Sequence, residues 1–252
     1  MQVTGFRTRM YSVAFFFMTI TSASPYTVVT SNDPDRSDKN HAASLPYFAI
    51  YMASQFASTD ECKYPLHSVY VKKEKETIQV ISTDGHRCFR FAFPSNDVYF
   101  SNYDELFIDA KQFRKSFNRK ATRLDLYINN YCEFIETKKD LSEKIDAKFN
   151  WFHKDSHMIG NCGLGSFIST VTFPNVDQLW PDQFKPVDKI AFNADYLASF
   201  CKVVSKFSTQ KTLVFKGFTS AKTPTILECN CNVEGFQDIP IEYLLMPIMI
   251  RF

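Results

Sequence analysis

The stretch ISTDGHRCFRFAFP, residues 81–94, places a histidine and an arginine directly after an Asp-Gly turn. A catalytic loop and the wall of a docking pocket would both use such a pair, because both side chains offer charged or hydrogen-bonding groups at a turn. The alternating aromatic residues that follow indicate that the chain returns to a strand. These residues alone leave both interpretations of His86 and Arg87 open.

The stretch HKDSH is a candidate metal site. His153 and His157 are four residues apart and Cys162 follows, so on one helix face the two histidines could bind zinc. The glutamate that metalloproteases carry beside the first histidine is absent, since Lys154 stands there, and the stretch is typical of a loop. We therefore expect no metal and no cofactor.

Cysteines and glycines form no other motif with a clear chemistry. Cys229 and Cys231 lie on one face of a predicted strand without a second pair of ligands, so we expect buried thiols. The stretch GNCGLGS lacks the Lys-Ser or Lys-Thr of a phosphate-binding loop. No spacing of nucleophile and base stands out. The sequence therefore predicts a protein that is not an enzyme.

The composition indicates a folded, β-rich protein without a strong overall charge. Charged residues make up 22% and apolar residues 45% of the 252 positions, which excludes a disordered chain. The 26 phenylalanines, against 7 glycines, favour β-rich packing over a nucleotide-binding fold built on glycine loops. With a formal charge of +2, any contact with nucleic acid must come from local basic patches.

The cysteines and the N-terminal segment bear on the location of the protein. The 7 scattered cysteines are typical of reduced thiols in a cytosolic protein. Residues 1–25 combine arginines, a short apolar run and small residues, which is the outline of a signal peptide. The run 11–20 is too short to span a membrane and also fits a strand, one face of which would carry Val13, Phe15, Phe17 and Thr19. We expect a cytoplasmic protein and keep secretion as the alternative.

The first of three predicted helices begins near residue 44. Ser44 can cap it, Pro46 suits its first turn, and its apolar stripe consists of Phe48, Met52 and Phe56. The stretch HSVYVKKEKETIQVIST then indicates two strands around a charged turn, which lead into the His-Arg segment. Residues 1–43 precede this helix as an extension of uncertain role.

A second cycle of helix and strands follows. Asp109 can cap a helix whose apolar face holds Phe113 and Phe117. The stretches RLDLYI and YCEFIE then alternate as strands around an Asn-Asn turn. Residues 138–165 interrupt this cycle with polar residues, and we interpret them as an inserted loop.

A third cycle repeats the same order. Asn193 can cap a helix whose apolar face holds Leu197 and either Phe200 or Cys201, and the strands TLVFKGF and TILECNCN follow. The sequence therefore predicts an α+β protein of repeated modules. Its predicted domains are the extension at 1–43, a domain of two modules at 44–181 and a half-domain at 182–252.

The helices of the second and third cycles carry basic residues away from their apolar stripes. A solvated face would explain one such helix, whereas basic faces on two equivalent helices favour a surface that follows phosphates without reading base sequence. The candidate DNA-binding residues are Lys111, Arg114, Lys115, Arg119, Lys120, Lys202 and Lys206.

Four segments, in family order, resemble the bacterial DNA polymerase III beta sliding clamps. STDGHRCFRFAFP resembles the family segment Thr-Asp-Gly-His-Arg-Leu-Ala, and TFPNVDQLWP resembles its Phe-Pro-Asp-Tyr segment. IAFNADYLASF is similar to the start of the helix in the last half-domain. EYLLMPIMIRF resembles the family ending Val-Met-Pro-Met-Arg-Leu. The resemblance covers about residues 44–252.

The resemblance implies a ring of β-α-β-β-β modules, with sheets outside and helices lining a hole around duplex DNA. Such a protein is a polymerase processivity factor: it encircles DNA without sequence preference and catalyses no reaction. It implies further that the replicative polymerase, repair proteins and the clamp loader dock linear motifs in one hydrophobic pocket. Carried over by position, that pocket comprises Leu66, Thr83, Gly85, His86, Arg87, Cys88, Pro174, Leu179, Leu244, Met246, Pro247 and Ile248.

This chain departs from the family pattern in several ways. Cys88 stands where the family has leucine, and Asp177 and Gln178 replace basic residues. Only three modules are clear where the family has three domains of two modules each. A closed ring would therefore be a homo-oligomer of a divergent, shortened clamp, a form that suggests a phage or other mobile element. The alternatives are a clamp-derived peptide-binding module or decoy that does not encircle DNA, and a secreted protein with chance motif matches.

Overall fold

A computed structural model of the protein describes most of the chain from residue 41 onward. The described residues are 41–60, 65–100, 105–115, 121–127, 131–135, 145–148, 151–153, 173–181, 183–187, 189–218, 220 and 222–248. The N-terminal extension up to residue 40, including the apolar run 11–20, lies outside them. No helix in this described part is both long and apolar enough to cross a membrane.

Strands follow each helix, as the repeat predicts, and a strand also precedes α1 and α2; within the described residues none directly precedes α3. The first module contains β1 (His41–Pro46), α1 (Tyr47–Ser54), β2 (Ser68–Glu74), β3 (Thr77–Thr83), β4 (Arg87–Pro94) and the short β5 (Tyr99–Phe100). The second contains β6 (Glu105–Asp109), α2 (Ala110–Lys115), β7 (Arg123–Tyr127), β8 (Tyr131–Ile135), β9 (Ile145–Lys148) and β10 (Trp151–His153). The third contains α3 (Ala194–Phe207), β11 (Val214–Gly217), β12 (Thr225–Asn230) and β13 (Pro240–Leu245).

The strands form two antiparallel sheets. One has the order β5-β1-β7-β8-β9, and the other has the order β10-β6-β2-β3-β4-β13-β12-β11. The eight-stranded sheet crosses from the two-module domain into the half-domain, because β13 pairs with β4 from Ile241 opposite Phe91 to Leu245 opposite Arg87. The two parts of the chain therefore share one continuous sheet.

The two modules of the first domain exchange their first strands. β1 lies ahead of α1 but pairs with β7, the strand that follows α2. In the same way, β6 lies ahead of α2 but pairs with β2, the strand that follows α1. Each module thus completes the sheet of the other by one antiparallel pair, which ties the two modules into one domain.

The main core lies between the helices and the inner face of the eight-stranded sheet. Phe89, Phe91 and Phe93 of β4 point inward and are buried, whereas the residues between them face outward, as the two-residue period of a strand requires. Helix α1 packs against strands of both sheets and is buried on nearly all sides. The predicted stripe of Phe48, Met52 and Phe56 is fully part of this core.

The predicted caps of the second and third helices are confirmed. Asp109 Oδ1 accepts a hydrogen bond from the amide of Lys111 at 2.9 Å. Asn193 Oδ1 accepts from the amides of Asp195 at 2.8 Å and Tyr196 at 3.3 Å. These bonds satisfy amides that the first turn of a helix leaves without an intrahelical acceptor.

On the apolar face of α3, the structure selects Phe200 over Cys201. Phe200 is fully buried together with Val203 and Val204, whereas Cys201 is exposed. Leu197 packs against the same core and is only partly buried. The residues that face the core, at positions 197, 200, 203 and 204, are therefore spaced three or four apart, as the period of a helix requires.

Two expectations about the elements are wrong. Ser44 does not cap α1: it lies inside β1, and Pro46 occupies the cap position without a side-chain hydrogen bond. The amide of Tyr47, the first residue of α1, donates instead to the carbonyl of Thr122 at 2.9 Å, so the backbone supplies an acceptor in place of a side-chain cap. Residues 138–165 are not one inserted loop either, since β9 extends the five-stranded sheet beside β8 and β10 pairs with β6. The alternation of Ile145 and Ala147 with polar neighbours is the strand signal that the polar composition obscured.

Candidate functional site

The outer face of the eight-stranded sheet carries a second, smaller apolar cluster. Its strand residues are Tyr70, Ile81, Cys88, Phe107 and Leu244. They come from five strands, β2, β3, β4, β6 and β13, and occupy the positions that alternate with the inward-facing core residues. Apolar side chains on the solvent side of a sheet need a cover, and a segment from elsewhere in the chain supplies it.

Residues 173–180 cover this outer cluster. Phe173 stacks on Tyr70 with ring centroids 4.6 Å apart and an interplanar angle of 16°. Val176 is 4% exposed, and Trp180 packs against the cluster from the side. The segment therefore closes the outer face of the sheet with apolar contacts.

A charged network fixes the same segment to the sheet. Asp177 forms ion pairs with Lys72 at 3.0 Å and with Arg90 at 3.4 Å. The Arg90 guanidinium lies 3.8 Å from the centroid of Trp180 and pairs with Glu242 of β13 at 2.6 Å. The acidic residue at 177, where the resemblance would place a basic residue, is thus a structural partner of two strands.

The turn 83–87 is held by its own polar groups. Asp84 Oδ1 accepts hydrogen bonds from the amides of His86 at 2.9 Å and Arg87 at 3.1 Å. Thr83 Oγ1 donates to the carbonyl of Arg87 at 2.6 Å and accepts from the amide of Gly85 at 3.1 Å. Gly85 has a φ of +94°, a backbone conformation that favours glycine.

The side chain of Arg87 lies on the helix side of the sheet. Its guanidinium pairs with Asp84 at 2.7 Å and donates to the hydroxyl of Ser199 in α3 at 2.5 Å. It also lies 4.7 Å from the ring centroid of Tyr196 and 5.5 Å from that of Phe56. Because neighbouring residues of a strand face opposite sides, Arg87 points inward where Cys88 points outward.

Strand β13 brings the C-terminal part of the described chain to this turn. Leu244 lies opposite Cys88 in the sheet. The amide of Met246 donates to the carbonyl of His86 at 3.1 Å. The amide of Ile248 donates to the carbonyl of Ala191, just ahead of α3, at 2.7 Å. Residues 244–248 therefore run from the outer cluster along the turn to the start of the third helix.

The structure brings most of the predicted pocket residues to this region but gives them different surroundings. Cys88 and Leu244 are buried at 1% exposure each, and Thr83 is also buried. Met246 and Pro247 are half-buried, whereas Gly85, His86, Pro174, Leu179 and Ile248 are exposed. Leu66 lies in the turn between α1 and β2, where its carbonyl accepts from the amide of Ser58.

The sequence patterns missed the residues that cover the site. Phe173, Val176 and Trp180 lie in an irregular segment, where no helix or strand period marks which side chains will be buried. Tyr70 escapes prediction for another reason. It lies in the run SVYV, where apolar residues occupy both faces of the strand, so the alternation does not show which face is solvated. An apolar residue at an outward position of a strand is the signal that could have found it.

The predicted basic residues differ in how accessible they are. Lys111, Lys202 and Lys206 are exposed, and Lys206 Nζ lies 4.2 Å from the ring centroid of Tyr51. Arg114 instead packs inward: its Nη1 donates to the carbonyl of Ser54 at 2.8 Å, and burial lowers its pKa. The side chains of Lys115, Arg119 and Lys120 lie outside what the structure describes.

The candidate thiol and metal residues form no metal centre within the described part of the chain. No group of three or more His, Cys, Asp or Glu residues that could hold a metal ion occurs there. His153 lies in β10, whereas His157 and Cys162 are outside the described residues. Cys229 and Cys231 are buried, as predicted, and burial raises their pKa values to about 12 and about 11.

Comparison with known proteins gives matches to solved structures alone. No protein-family model matches the sequence, and no curated protein matches it either. The C. crescentus beta sliding clamp, solved with PEG bound, is similar with a TM-score of 0.54 and 15% identity over 88% of this chain and 69% of that chain. This chain has the fold of the beta sliding clamps.

Two further clamps give the same result. The H. pylori beta clamp in complex with diflunisal matches with a TM-score of 0.56 and 9% identity over 86% of this chain and 69% of that chain. DNA polymerase III subunit beta from Borrelia burgdorferi, in complex with a natural product, has a TM-score of 0.52 and 14% identity, covering 87% and 67%. The predicted α+β clamp fold is confirmed, and the chain spans about two thirds of the length of the clamps it matches.

Proposed function

We propose that this protein is a non-enzymatic sliding clamp: a homo-oligomeric ring in the cytoplasm that encircles duplex DNA. In this role it acts as a processivity factor, docking linear motifs of the replicative polymerase, repair proteins and the clamp loader. One observation carries the proposal. The pairing of β13 with β4 brings the turn 83–87 and residues 244–248 together beside the covering segment 173–180. These are three of the segments that resemble the clamp family, and they are distant in sequence.

The chemistry of the proposed docking site suits an apolar anchor. Leu179 of the covering segment is 41% exposed, and Ile248, which follows the turn and bonds to Ala191, is 45% exposed. A partner side chain that contacts them would remove further apolar surface from water. His86, exposed at the turn, offers a ring nitrogen to a polar group of the peptide. A few polar groups on mostly apolar walls are typical of sites that hold a short peptide in one register.

Replacing Met246 with alanine is expected to weaken peptide binding at least tenfold, which is about 1.4 kcal/mol. Met246 is half-buried beside the turn and its truncation leaves the backbone bond to His86 intact. Fluorescence anisotropy of a labelled peptide with a Gln-Leu-x-Leu-Phe motif measures the affinity. Val214→Ala serves as the matched control, because Val214 is a 50% exposed apolar residue on β11. Equal losses in both variants, or no binding by the wild-type protein, would contradict the proposed site.

Reversing the charge of Lys202 and Lys206 is expected to lower the affinity for duplex DNA at least tenfold at low salt. Both lysines are exposed on α3, four residues apart on one face. If each neutralises a phosphate, the slope of log affinity against log salt should fall by about 2. The charge-matched control is Lys211→Glu with Lys222→Glu, two exposed lysines outside the helices. The proposal fails if both pairs reduce binding equally.

One observation favours a second candidate, a peptide-binding module that does not encircle DNA. Helix α1 has the sequence YFAIYMAS, carries no charge and is buried on nearly all sides, so it offers no basic face. A module of this kind would bind the same peptide but remain monomeric in light scattering. It would also leave circular and linearised DNA equally fast, whereas a closed ring leaves only the linear form by sliding off its ends.

A further inference from the structure

The third module lacks the partner that completes each of the other two. In the two-module domain, α1 and α2 pack side by side: the rings of Tyr47 and Phe113 lie 5.0 Å apart, and Arg114 Nη1 donates to the carbonyl of Ser54 at 2.8 Å. Each of these helices also contacts the strand that follows the other helix, α1 with β7 and α2 with β2. The third module supplies α3 and β11, and no fourth α-helix occurs among the described residues to complete a second pair.

The inner face of β11 is correspondingly uncovered. Phe215 lies opposite Leu227 of β12, a buried residue of the main core, so its side chain is on the helix side of the sheet. The rings of Phe192 and Phe218 lie 6.4 and 6.3 Å from it, yet Phe215 is 42% exposed. In β2 and β7, the core residues on this side are all fully buried: Val69, Val71, Leu124 and Leu126.

The outer edge of β11 is open as well. β2 and β7 each pair on that edge with the strand ahead of the other helix, β6 and β1 respectively. In the part of the chain that the structure describes, β11 pairs with β12 alone and ends the eight-stranded sheet. The segment ahead of α3 meets the chain beyond the end of this strand, where the amide of Lys185 donates to the carbonyl of Phe218. A helix and a strand are therefore wanting at the same place, which together make up one module.

One side of α3 is accessible to a second helix. The contacts between α1 and α2 involve the first and eighth residues of α1 and the fourth and fifth residues of α2. The helix period places the same positions of α3 on one half of its surface, and Lys206, which contacts Tyr51 of α1, lies on the other half. All of them are exposed except the half-buried fourth, and they are Ala194, Leu197, Ala198 and Cys201.

We propose that the third modules of two copies of this chain pack against each other across a two-fold axis, so that α3 of each copy covers β11 of the other. A second copy fits because the missing piece is a module of the same kind, and a second copy presents that module with the same open face. A two-fold contact of this kind is self-complementary and satisfies both modules at once.

The charges at this surface permit two copies to approach. The accessible positions of α3 and the ring of Phe215 are uncharged, so no like charges meet where the helices and the strands come together. The charged residue of β11, Lys216, pairs with Glu228 within its own chain. The contact would therefore remove the exposed part of an aromatic ring from water without separating an ion pair.

Analytical ultracentrifugation of the full chain tests the contact. The wild-type protein is expected to form dimers or assemblies with an even number of chains. Phe215→Glu and, separately, Cys201→Arg should each raise the dissociation constant at least tenfold, and circular dichroism should stay unchanged because both residues are exposed. The matched control is Tyr99→Glu, since Tyr99 is also 42% exposed and lies on an edge strand of the other sheet. A monomeric wild-type protein, or an equal loss in the control, would overturn the proposal.

Photo-cross-linking identifies which segments meet. In a mixture of isotopically labelled and unlabelled chains, Phe215→p-benzoylphenylalanine is expected to cross-link to α3 of a differently labelled chain, as shown by mass spectrometry. Cross-links confined to single chains, or to another segment of the second copy, would refute the contact.

The contact belongs to the proposed homo-oligomer and rests on that proposal, but the two can fail separately. Anisotropy with the Gln-Leu-x-Leu-Phe peptide distinguishes them. Peptide binding by a monomeric wild-type protein would overturn the two-fold contact and leave the docking site standing. A dimer that is weakened by Phe215→Glu but binds no peptide would support the contact and contradict the docking function.

Discussion

Replacing Phe56 with alanine is expected to lower the free energy of unfolding by about 3–5 kcal/mol. The ring is fully buried just beyond α1. It stacks on Phe89 of β4 at 5.1 Å and contacts Tyr243 of β13 at 5.1 Å and Phe200 of α3 at 6.1 Å. The cavity would therefore open where the two-module domain meets the half-domain, and the lost contacts would come from three elements at once.

Urea denaturation of the wild-type and variant proteins measures this loss. Leu179→Ala is the control, since Leu179 is 41% exposed and its truncation should cost less than about 1 kcal/mol. A similar loss in the two variants would mean that the joint between the domains contributes little to stability. A fall in the slope of the transition would indicate that the two parts unfold separately.

Replacing Arg87 with methionine is expected to lower the free energy of unfolding by about 2–4 kcal/mol. The side chains of Arg87 and Asp84 are each 14% exposed, and their ion pair measures 2.7 Å. Without the guanidinium, the Asp84 carboxylate would lose its ionic partner, and the bond to Ser199 and the contact with Tyr196 would disappear with it. The turn and α3 would then be joined only by weaker contacts.

A double-mutant cycle separates the ion pair from the other contacts. Asp84→Asn keeps the size of the side chain, and the double variant should lose at least about 1 kcal/mol less than the sum of the single losses. Strictly additive losses would show that Arg87 stabilises the fold through Ser199 and Tyr196 alone. The folded variants also test the role in peptide binding that the resemblance assigns to Arg87. Because its guanidinium lies on the helix side of the sheet, we expect it to affect a bound peptide only through the turn 83–87.

Local features of the fold were predictable because their signals lie close together in the chain. Asn193 and Asp109 were identified as helix caps from residue type and position, and both accept the expected backbone bonds. The hairpin of β7 and β8 followed from alternation around a short polar turn, and the strands pair from Tyr127 opposite Tyr131. In each case the residues that decide the structure are neighbours.

Features set by distant pairing were not predictable from patterns. Nothing in the stretch around Leu244 shows that it will lie opposite Cys88, and the resemblance alone suggested that they meet. The alternation of β4 fixes Arg87 and Cys88 on opposite faces, but which face meets the helices depends on the whole sheet. Strand β10 escapes prediction for the same reason, since its partner β6 lies more than 40 positions earlier, whereas the short strand β9 is obscured by the polar residues around it.

The pairing of β4 with β13 also determines when, during synthesis of the chain, the eight-stranded sheet can form. Arg90 and Glu242, which lie opposite each other in these strands, are 152 positions apart. At typical rates of about 5–20 residues per second, β4 emerges from the ribosome roughly 8–30 s before its neighbour. During that interval the edge of β4 that later pairs with β13 is open, and unpaired strand edges of this kind make an incomplete chain prone to aggregate. The proposed docking site, in turn, requires residues 244–248, so a growing chain that has not yet reached them cannot offer it to a partner.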